Sequence, residues 1–252
     1  MRYLLALSLV ALTLPVAAAA QGGPGHFRGG FGFGPGFHGQ PVTGEPYSAV
    51  EKITSTEPLT DGTKLTHVRQ EQSWRDAQGR IRTEVGEVGA NGQVAFHHAE
   101  IFDPSARTMT ILDLDKKTAM VMHLPERRFE GHRQDVADDQ PGPRAFHGEQ
   151  VKMEDLPAKT VAGVSATGKR MTRTHTDASN GRALVSTFDR YEVPDLKITL
   201  YSAVNSPRET SVSEVTSLNR NEPDATLFQV PSDFTVKDAP GHRMHGSRPR
   251  QQ

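Results

Sequence analysis

Residues 61–92 read DGTKLTHVRQEQSWRDAQGRIRTEVGEVGANG and hold two strand-like segments enclosed by three turns. Asp-Gly is a favoured hairpin dipeptide, and a four-residue turn accepts Asp at its first position and Gly at its last. No apolar pattern of helical period occurs between the turns. Short strands separated by regular turns are typical of an antiparallel meander. The turns are Asp61-Gly62, Asp76–Gly79 and Gly89–Gly92.

The same alternation continues on both sides of residues 125–149, a charged stretch with three prolines. The two β halves could form one sheet or two subdomains, and we favour one sheet because neither half is apolar enough to close a core alone. The further predicted strands are Tyr47–Ile53, Gln93–Phe102, Arg107–Leu112, Thr118–Leu124, Gln150–Leu156, Lys159–Val164, Thr167–Thr174, Ala183–Val193, Leu196–Val204 and Arg208–Leu218.

The first twenty residues have the pattern of a cleavable secretory signal. Arg2 is their single charge, residues 4–14 form an apolar run, and Ala18-x-Ala20 fits a signal-peptidase site. The run is shorter than the roughly 20 apolar residues that span a bilayer, so we expect no transmembrane segment. An uncleaved N-terminal anchor is the alternative. We expect an exported protein, periplasmic or extracellular, either soluble or peripherally associated with the envelope.

Composition divides the mature chain into three parts. Residues 21–45 are rich in glycine and phenylalanine and predict a disordered leader, because glycine loses much backbone entropy on ordering. Residues 46–236 contain the strands and predict one antiparallel β domain, and residues 237–252 predict a disordered tail. Within the domain, residues 125–149 predict a long loop or flap, which is uncommon in compact domains.

Composition and motifs exclude several classes of function. The chain has no cysteine, so it offers neither a disulfide nor a thiolate nucleophile or metal ligand. Without Arg2, 28 of the 29 basic residues remain against 30 acidic ones, a balance that gives no general attraction to nucleic acid or anionic membranes. No nucleotide or cofactor motif is present, and we expect no cofactor.

The polar residues predict neither a metal site nor a catalytic site. His97 and His98 are adjacent, and neighbouring strand residues point to opposite faces, so the two cannot easily share one ion. No serine stands in a G-x-S-x-G turn. The acidic residues Glu154 and Asp155 are adjacent rather than facing, whereas glycoside hydrolysis needs facing carboxylates. We therefore expect a protein that is not an enzyme.

Alternating apolar residues place bulky side chains on one face of several strands. One face of such a sheet has to be covered, so these residues predict a filled core, a groove for a lipid or acyl chain, or both. Methionine suits a groove because its flexible thioether adapts to different shapes. The residues of this hypothetical groove are Met109, Ile111, Met120, Met122, Ile198 and Leu200.

Three stretches resemble a group of exported bacterial β proteins. They are Pro46–Val50 with the Asp61-Gly62 turn, Trp74-Arg-Asp-Ala-Gln-Gly-Arg80 with Arg82 and Glu84, and the region from Val161–Gly168 to Glu222-Pro-Asp-Ala-Thr-Leu-Phe-Gln-Val-Pro231. The closing stretch is similar to the ending of outer-membrane lipoprotein-sorting proteins of the LolA/LolB-like superfamily. The resemblance implies an unclosed antiparallel barrel that holds lipid chains under a lid of helices. Pro223 can begin one short helical turn here, anchored by Leu227 and Phe228.

The expected fold is mainly β, a curved antiparallel sheet with a long mid-chain loop and few short helical turns. The expected function is that of an exported, non-enzymatic binding protein with a modest hydrophobic groove for a lipid, an acyl chain or a partner polypeptide. The alternative is a structural or protein-interaction component of the cell envelope that has no small-molecule ligand.

Overall fold

Twelve strands account for most of the described residues in a computed structural model that covers residues 41–124, 149–177 and 179–239. The predicted signal, most of the predicted leader, the stretch 125–148 and the end of the predicted tail lie outside the described residues. The strands are β1 (Tyr47–Pro58), β2 (Lys64–Arg75), β3 (Ile81–Val88), β4 (Val94–Asp103), β5 (Thr108–Asp113), β6 (Thr118–His123), β7 (Glu149–Val161), β8 (Val164–Thr176), β9 (Ala183–Val193), β10 (Ile198–Asn205), β11 (Thr210–Asn219) and β12 (Thr235–Asp238).

All twelve strands belong to one sheet, in the order β12-β6-β5-β4-β3-β2-β1-β11-β10-β9-β8-β7. Each half of the chain is an antiparallel meander, and the halves join where Ser48–Thr56 of β1 pair with Asn219–Thr210 of β11. The sheet is open, with β12 and β7 as its end strands among the described residues. The predicted fold class and the single continuous sheet are therefore confirmed. The short β12, which runs parallel to β6, was not predicted.

The turns that the sequence predicts lie where the glycines and aspartates place them. At the turn between β2 and β3, the Gly79 amide donates to the Asp76 carbonyl at 3.0 Å, and the Asp76 side chain accepts from the Arg80 amide at 2.8 Å. Gly79 has a φ of +83°, and a Cβ on it would lie 3.0 Å from the Val42 carbonyl oxygen. Glycine is therefore required both for the left-handed backbone and for the close approach.

Strand β7 corrects one prediction. The sequence predicted two strands with a break after Leu156, whereas the structure has one strand with a register shift between Leu156 and Lys159. Pro157 lies at that shift. Proline cannot donate to a neighbouring strand, so it is tolerated at bulges and sheet edges. The break in the sequence pattern thus marks a bulge and not the end of the strand.

The sheet curls toward the face that carries Tyr47 and Ala49. One buried cluster combines those β1 residues with Leu200 of β10 and Val161 of β7. Strands β7 and β11 also contact each other although three strands separate them in the sheet. Such contacts require the end of the second half to bend over one face, which we call the concave face.

A second buried cluster covers the opposite face of the first half. Ala99, Ile101, Leu112 and Ala119 pack there against Phe228, which belongs to a short 3-10 helix at Ala225–Phe228. The predicted anchoring role of Leu227 and Phe228 is confirmed. The helix begins at Ala225 and not at Pro223, because the Asp224 carboxylate caps it by accepting from the Thr226 amide at 2.9 Å.

Replacing Gly168 by alanine tests the packing of the second half. The added Cβ would lie 2.5 Å from Cε1 of Tyr191 and 2.9 Å from Cβ of Leu156, so we expect a loss of about 1–3 kcal/mol in the free energy of unfolding. Urea denaturation measures it. Ser165→Ala, at an exposed site of the same strand, is the control and should change stability by less than about 0.5 kcal/mol. Equal stabilities of the two variants would contradict the packing described.

Candidate functional site

The concave face of the first half carries four of the six predicted groove residues side by side. Met109 lies directly opposite Met122 across β5 and β6, and Ile111 lies opposite Met120. Directly opposite residues of an antiparallel pair share a face, with Cβ atoms about 4.5–5.5 Å apart. Met120 is 41% exposed and the other three are half-buried. We call these four residues the Met/Ile patch.

Ile198 and Leu200 are placed differently. Both are fully buried in the cluster that contains Tyr47 and Val161. That cluster also contains Ala49 of the concave face, so the two residues are covered by packing within it. The structure thus brings together the four residues of the Met/Ile patch and puts the other two among the packed core residues.

Cross-strand rows connect the Met/Ile patch with the centre of the sheet. Because each row joins directly opposite residues, its members lie on the concave face. One row runs through Met122, Met109, Phe102, Ile81, Arg75 and Tyr47. Another row runs through Thr118, Asp113, His98, Val85, Glu71 and Glu51. The first row is therefore apolar from β6 to β3 and meets a charged group at Arg75, whereas the second row is polar at β6 and β5 and carries the two glutamates at β2 and β1.

Two buried glutamates form the polar centre. Glu51 and Glu71 are directly opposite each other and only 8% and 7% exposed. We call them the carboxyl pair. Burial raises the pKa of Glu51 to about 8, and the negative charge of Glu71 adds to this. Burial likewise raises the pKa of Glu71 to about 7, with Arg69 opposing and Glu100 reinforcing the rise.

The carboxyl pair is incompletely hydrogen-bonded. Oε1 of Glu71 is buried without a hydrogen-bond partner among the described residues. A buried carboxylate without a partner carries a large desolvation cost, so such a group holds its proton instead. At neutral pH and below, the pair therefore keeps at least one proton and presents less charge than its sequence suggests.

Arg75 is the second buried polar group of this face and ties the two halves together. Its fully buried guanidinium donates from Nε to the Glu45 carbonyl at 2.8 Å and from Nη2 to the Leu196 carbonyl at 2.7 Å. It also lies 4.8 Å from the centre of the Tyr47 ring, a cation–π distance. Burial lowers the pKa of Arg75 and raises that of Tyr47.

The motif after Trp74 has a structural role. The Ala77 amide donates to the Glu222 carboxylate at 3.1 Å, and Nη1 of Arg82 donates to the Leu227 carbonyl at 3.0 Å. The Arg80 guanidinium lies 5.0 Å from the Phe228 ring centre. Two of the stretches that carry the family resemblance therefore bind each other and pin the closing segment to the sheet.

The visible histidine of the sequence, His97, forms an ion pair at the surface. Nδ1 of His97 and Oδ2 of Asp115 lie 2.7 Å apart on the exposed surface. Within residues 41–124, 149–177 and 179–239, no three His, Asp or Glu side chains are grouped to hold a metal ion. In the same residues, no helix is long and apolar enough to cross a membrane.

Sequence reasoning missed the carboxyl pair and Arg75. The signal was present in the alternation: Glu51 follows Tyr47 and Ala49 at every second position, and Arg75 follows Glu71 and Ser73 in the same way. A charged residue at an alternating buried position indicates a buried polar site. The apolar members of β2 do not reveal which face is buried, and so the signal is weak without the partner strand.

Comparison with known proteins gives structural similarity only. No protein-family model and no curated protein matches the sequence. Similar solved structures include a LolA superfamily protein from Nitrosomonas europaea, with 11% identity over 73% of this chain and 90% of that one, at a TM-score of 0.31. They also include a domain assigned to outer membrane lipoprotein sorting from Vibrio parahaemolyticus, with 8% identity, 73% and 89% coverage and a TM-score of 0.28.

A third similar structure is a β-barrel-like protein of a domain family of unknown function from Brucella abortus. It has 8% identity over 72% of this chain and 100% of that chain, at a TM-score of 0.31. The superfamily that the sequence resembles is thus found among the similar structures. The fold described here rests on the strand order and register of this chain.

The carboxyl pair predicts that stability falls as pH rises. Both carboxyls ionise near 4.5 when unfolded but keep protons to about 7 and 8 when folded, so the folded state binds more protons in between. We expect the free energy of unfolding to drop by several kcal/mol, at most about 6 kcal/mol, from pH 5 to pH 8. Lysine partners lower the pKa values of Asp113 and Asp233, so these two carboxyls change the free energy of unfolding only below about pH 4.

Glu71→Gln isolates this effect, because glutamine resembles the protonated acid. The variant should be more stable than the wild type at pH 8 and lose much of the pH dependence, as measured by urea denaturation across pH 5–8. Glu57→Gln, at the exposed end of β1, should follow the wild type. A Glu71→Gln curve parallel to that of the wild type would contradict a buried, protonated pair.

Proposed function

We propose that this protein is an exported, non-enzymatic binding protein whose concave face takes the apolar chain of a lipid or fatty acid. The observation that carries the proposal is the Met/Ile patch, four apolar side chains in two directly opposite pairs that remain partly exposed on the inner side of a curled sheet. Exposed apolar groups scattered singly need no explanation, but contiguous ones indicate a binding surface.

An alkyl chain fits this surface better than a peptide does. The face of a sheet presents side chains, since the backbone groups of its strands are paired with neighbouring strands. A peptide on the patch would leave its own amides and carbonyls without partners, which is costly when they are buried. An alkyl chain has no such groups, and the flexible methionine side chains can adapt to its path.

The row of Met109 extends the apolar surface toward the centre of the sheet. Phe102 and Ile81 continue the row from Met109 toward the centre of the sheet and are themselves buried. Beyond them, the carboxyl pair retains protons at neutral pH, so the ligand meets a weakly charged centre. The exported location follows from the predicted signal at residues 1–20, and an exported chain meets lipids of the cell envelope.

Replacing Met120 by glutamate tests the patch. The side chain is 41% exposed, so the fold should tolerate the change, while a charge next to the bound chain should oppose binding. Burying a methionine is worth about 1.5–3 kcal/mol, and we expect the affinity for a fluorescent fatty acid to fall about tenfold or more. Fluorescence titration measures it, and mass spectrometry of the natively purified protein should detect co-purified lipid.

Met153→Glu is the matched control, because Met153 is an exposed methionine on the end strand β7 and lies outside the patch. Its affinity should equal that of the wild type. An equal loss in both variants would show that the probe binds elsewhere. No uptake by the wild type together with no co-purified lipid would overturn the proposed function.

A further inference from the structure

We propose that the carboxyl pair of Glu51 and Glu71 is a proton-operated control on the concave face, which holds an apolar ligand while the pair is protonated and releases it when both glutamates are ionised. The inference rests on the proposed function for its ligand, and on the geometry of β1 and β2 for its mechanism.

The position of the pair supports a controlling role. Glu51 belongs to β1, the strand through which the two halves of the sheet join, and it lies opposite Val215 of β11 as well as Glu71 of β2. On the same face, one further row separates the row that contains the pair from the row of Met109 and Met122. A change in hydration at the pair therefore acts on the joint between the halves and on the face that would hold the ligand.

No facing group neutralises both glutamates. On β2, Arg69 is the nearest cation on the same face, and it lies opposite Glu87 of β3. Arg75, also on β2, is bound to two carbonyl oxygens. Further groups near the pair on this face are Tyr47 of β1, Val85 of β3, His98 and Glu100 of β4, Asp113 of β5, and Ser213 and Val215 of β11. These neighbours add two further carboxylates and one imidazole.

Ionisation of both members would place two negative charges in directly opposite, buried positions. The carboxylates would repel each other, and each would require water, since Oε1 of Glu71 has no hydrogen-bond partner in the described part of the chain. Burial raises the pKa of Glu71 to about 7, and burial together with the charge of Glu71 raises the pKa of Glu51 to about 8, so the change falls between about pH 6 and pH 9. Water drawn to the pair would make the concave face less favourable for an alkyl chain.

Linkage requires the reverse effect too. A ligand that excludes water from the concave face further disfavours the ionised pair, and its binding near pH 8 must therefore be accompanied by proton uptake. A purely structural carboxyl pair, remote from the ligand, would give no such uptake.

The test compares the affinity for N-phenyl-1-naphthylamine, an apolar probe that stays uncharged in this range, at pH 6 and pH 9. In the wild type and in Glu57→Gln the probe should bind about tenfold more weakly at pH 9, within the usual range of coupling between sites. In the double variant Glu51→Gln/Glu71→Gln the affinities at the two pH values should be equal. In Glu71→Gln the difference between the two affinities should be much smaller than in the wild type. A wild-type affinity independent of pH, or a double variant that keeps the pH dependence, would overturn the proposal.

A probe-free measurement separates this proposal from the proposed function. Amide hydrogen exchange of β1 and β2 is measured in the wild type and in the double variant at each pH. Comparing the two proteins at the same pH removes the intrinsic pH dependence of exchange. We expect equal protection at pH 6 and at least about threefold faster exchange in the wild type at pH 9. Faster exchange without probe uptake at either pH would overturn the apolar ligand but keep the proton-dependent loosening. Equal protection at both pH values would overturn the control itself.

Discussion

The pairing of β1 with β11 is the constraint on which the rest of the structure depends. It joins residues that are about 170 positions apart in the chain, as in the pair of Ser48 and Asn219, and it turns two local meanders into one continuous surface. The curl, the shared concave face and the contact of Arg75 with the Leu196 carbonyl all follow from it. Because such a contact closes a very long loop, its formation is expected to be slow compared with that of the hairpins.

Local features of this fold could be predicted from the sequence, and long-range ones could not. Asp76 and Gly79 determine their turn through their own backbone and side-chain preferences, and so the turn is visible in a short stretch. The bulge at Pro157 gives the same local signal as a strand end, and only the partner strand β8 distinguishes the two. The parallel β12 depends on where β6 lies and has no signal of its own.

The candidate site shows the same division. Alternation correctly grouped Met109 with Ile111 and Met120 with Met122, but it could not show that Ile198 and Leu200 lie under the curled half of the sheet. The same period of two is present in both places. Burial depends on what folds over a face, and that is a property of the closed sheet. Glu51 and Glu71 became a pair only through the register of β1 and β2.

The bulge in β7 has a consequence for association between copies of the protein. As an end strand of 13 residues, β7 presents a row of backbone groups that another sheet edge could join. Pro157 removes one donor from that row and the bulge twists it, while Lys152, Glu154 and Asp155 place charges beside it. At the other end of the sheet, β12 is only four residues long. Both edges are therefore poor templates for the edge-to-edge growth that leads to aggregates and fibrils, a protection that a sheet-rich protein without disulfides needs while it folds.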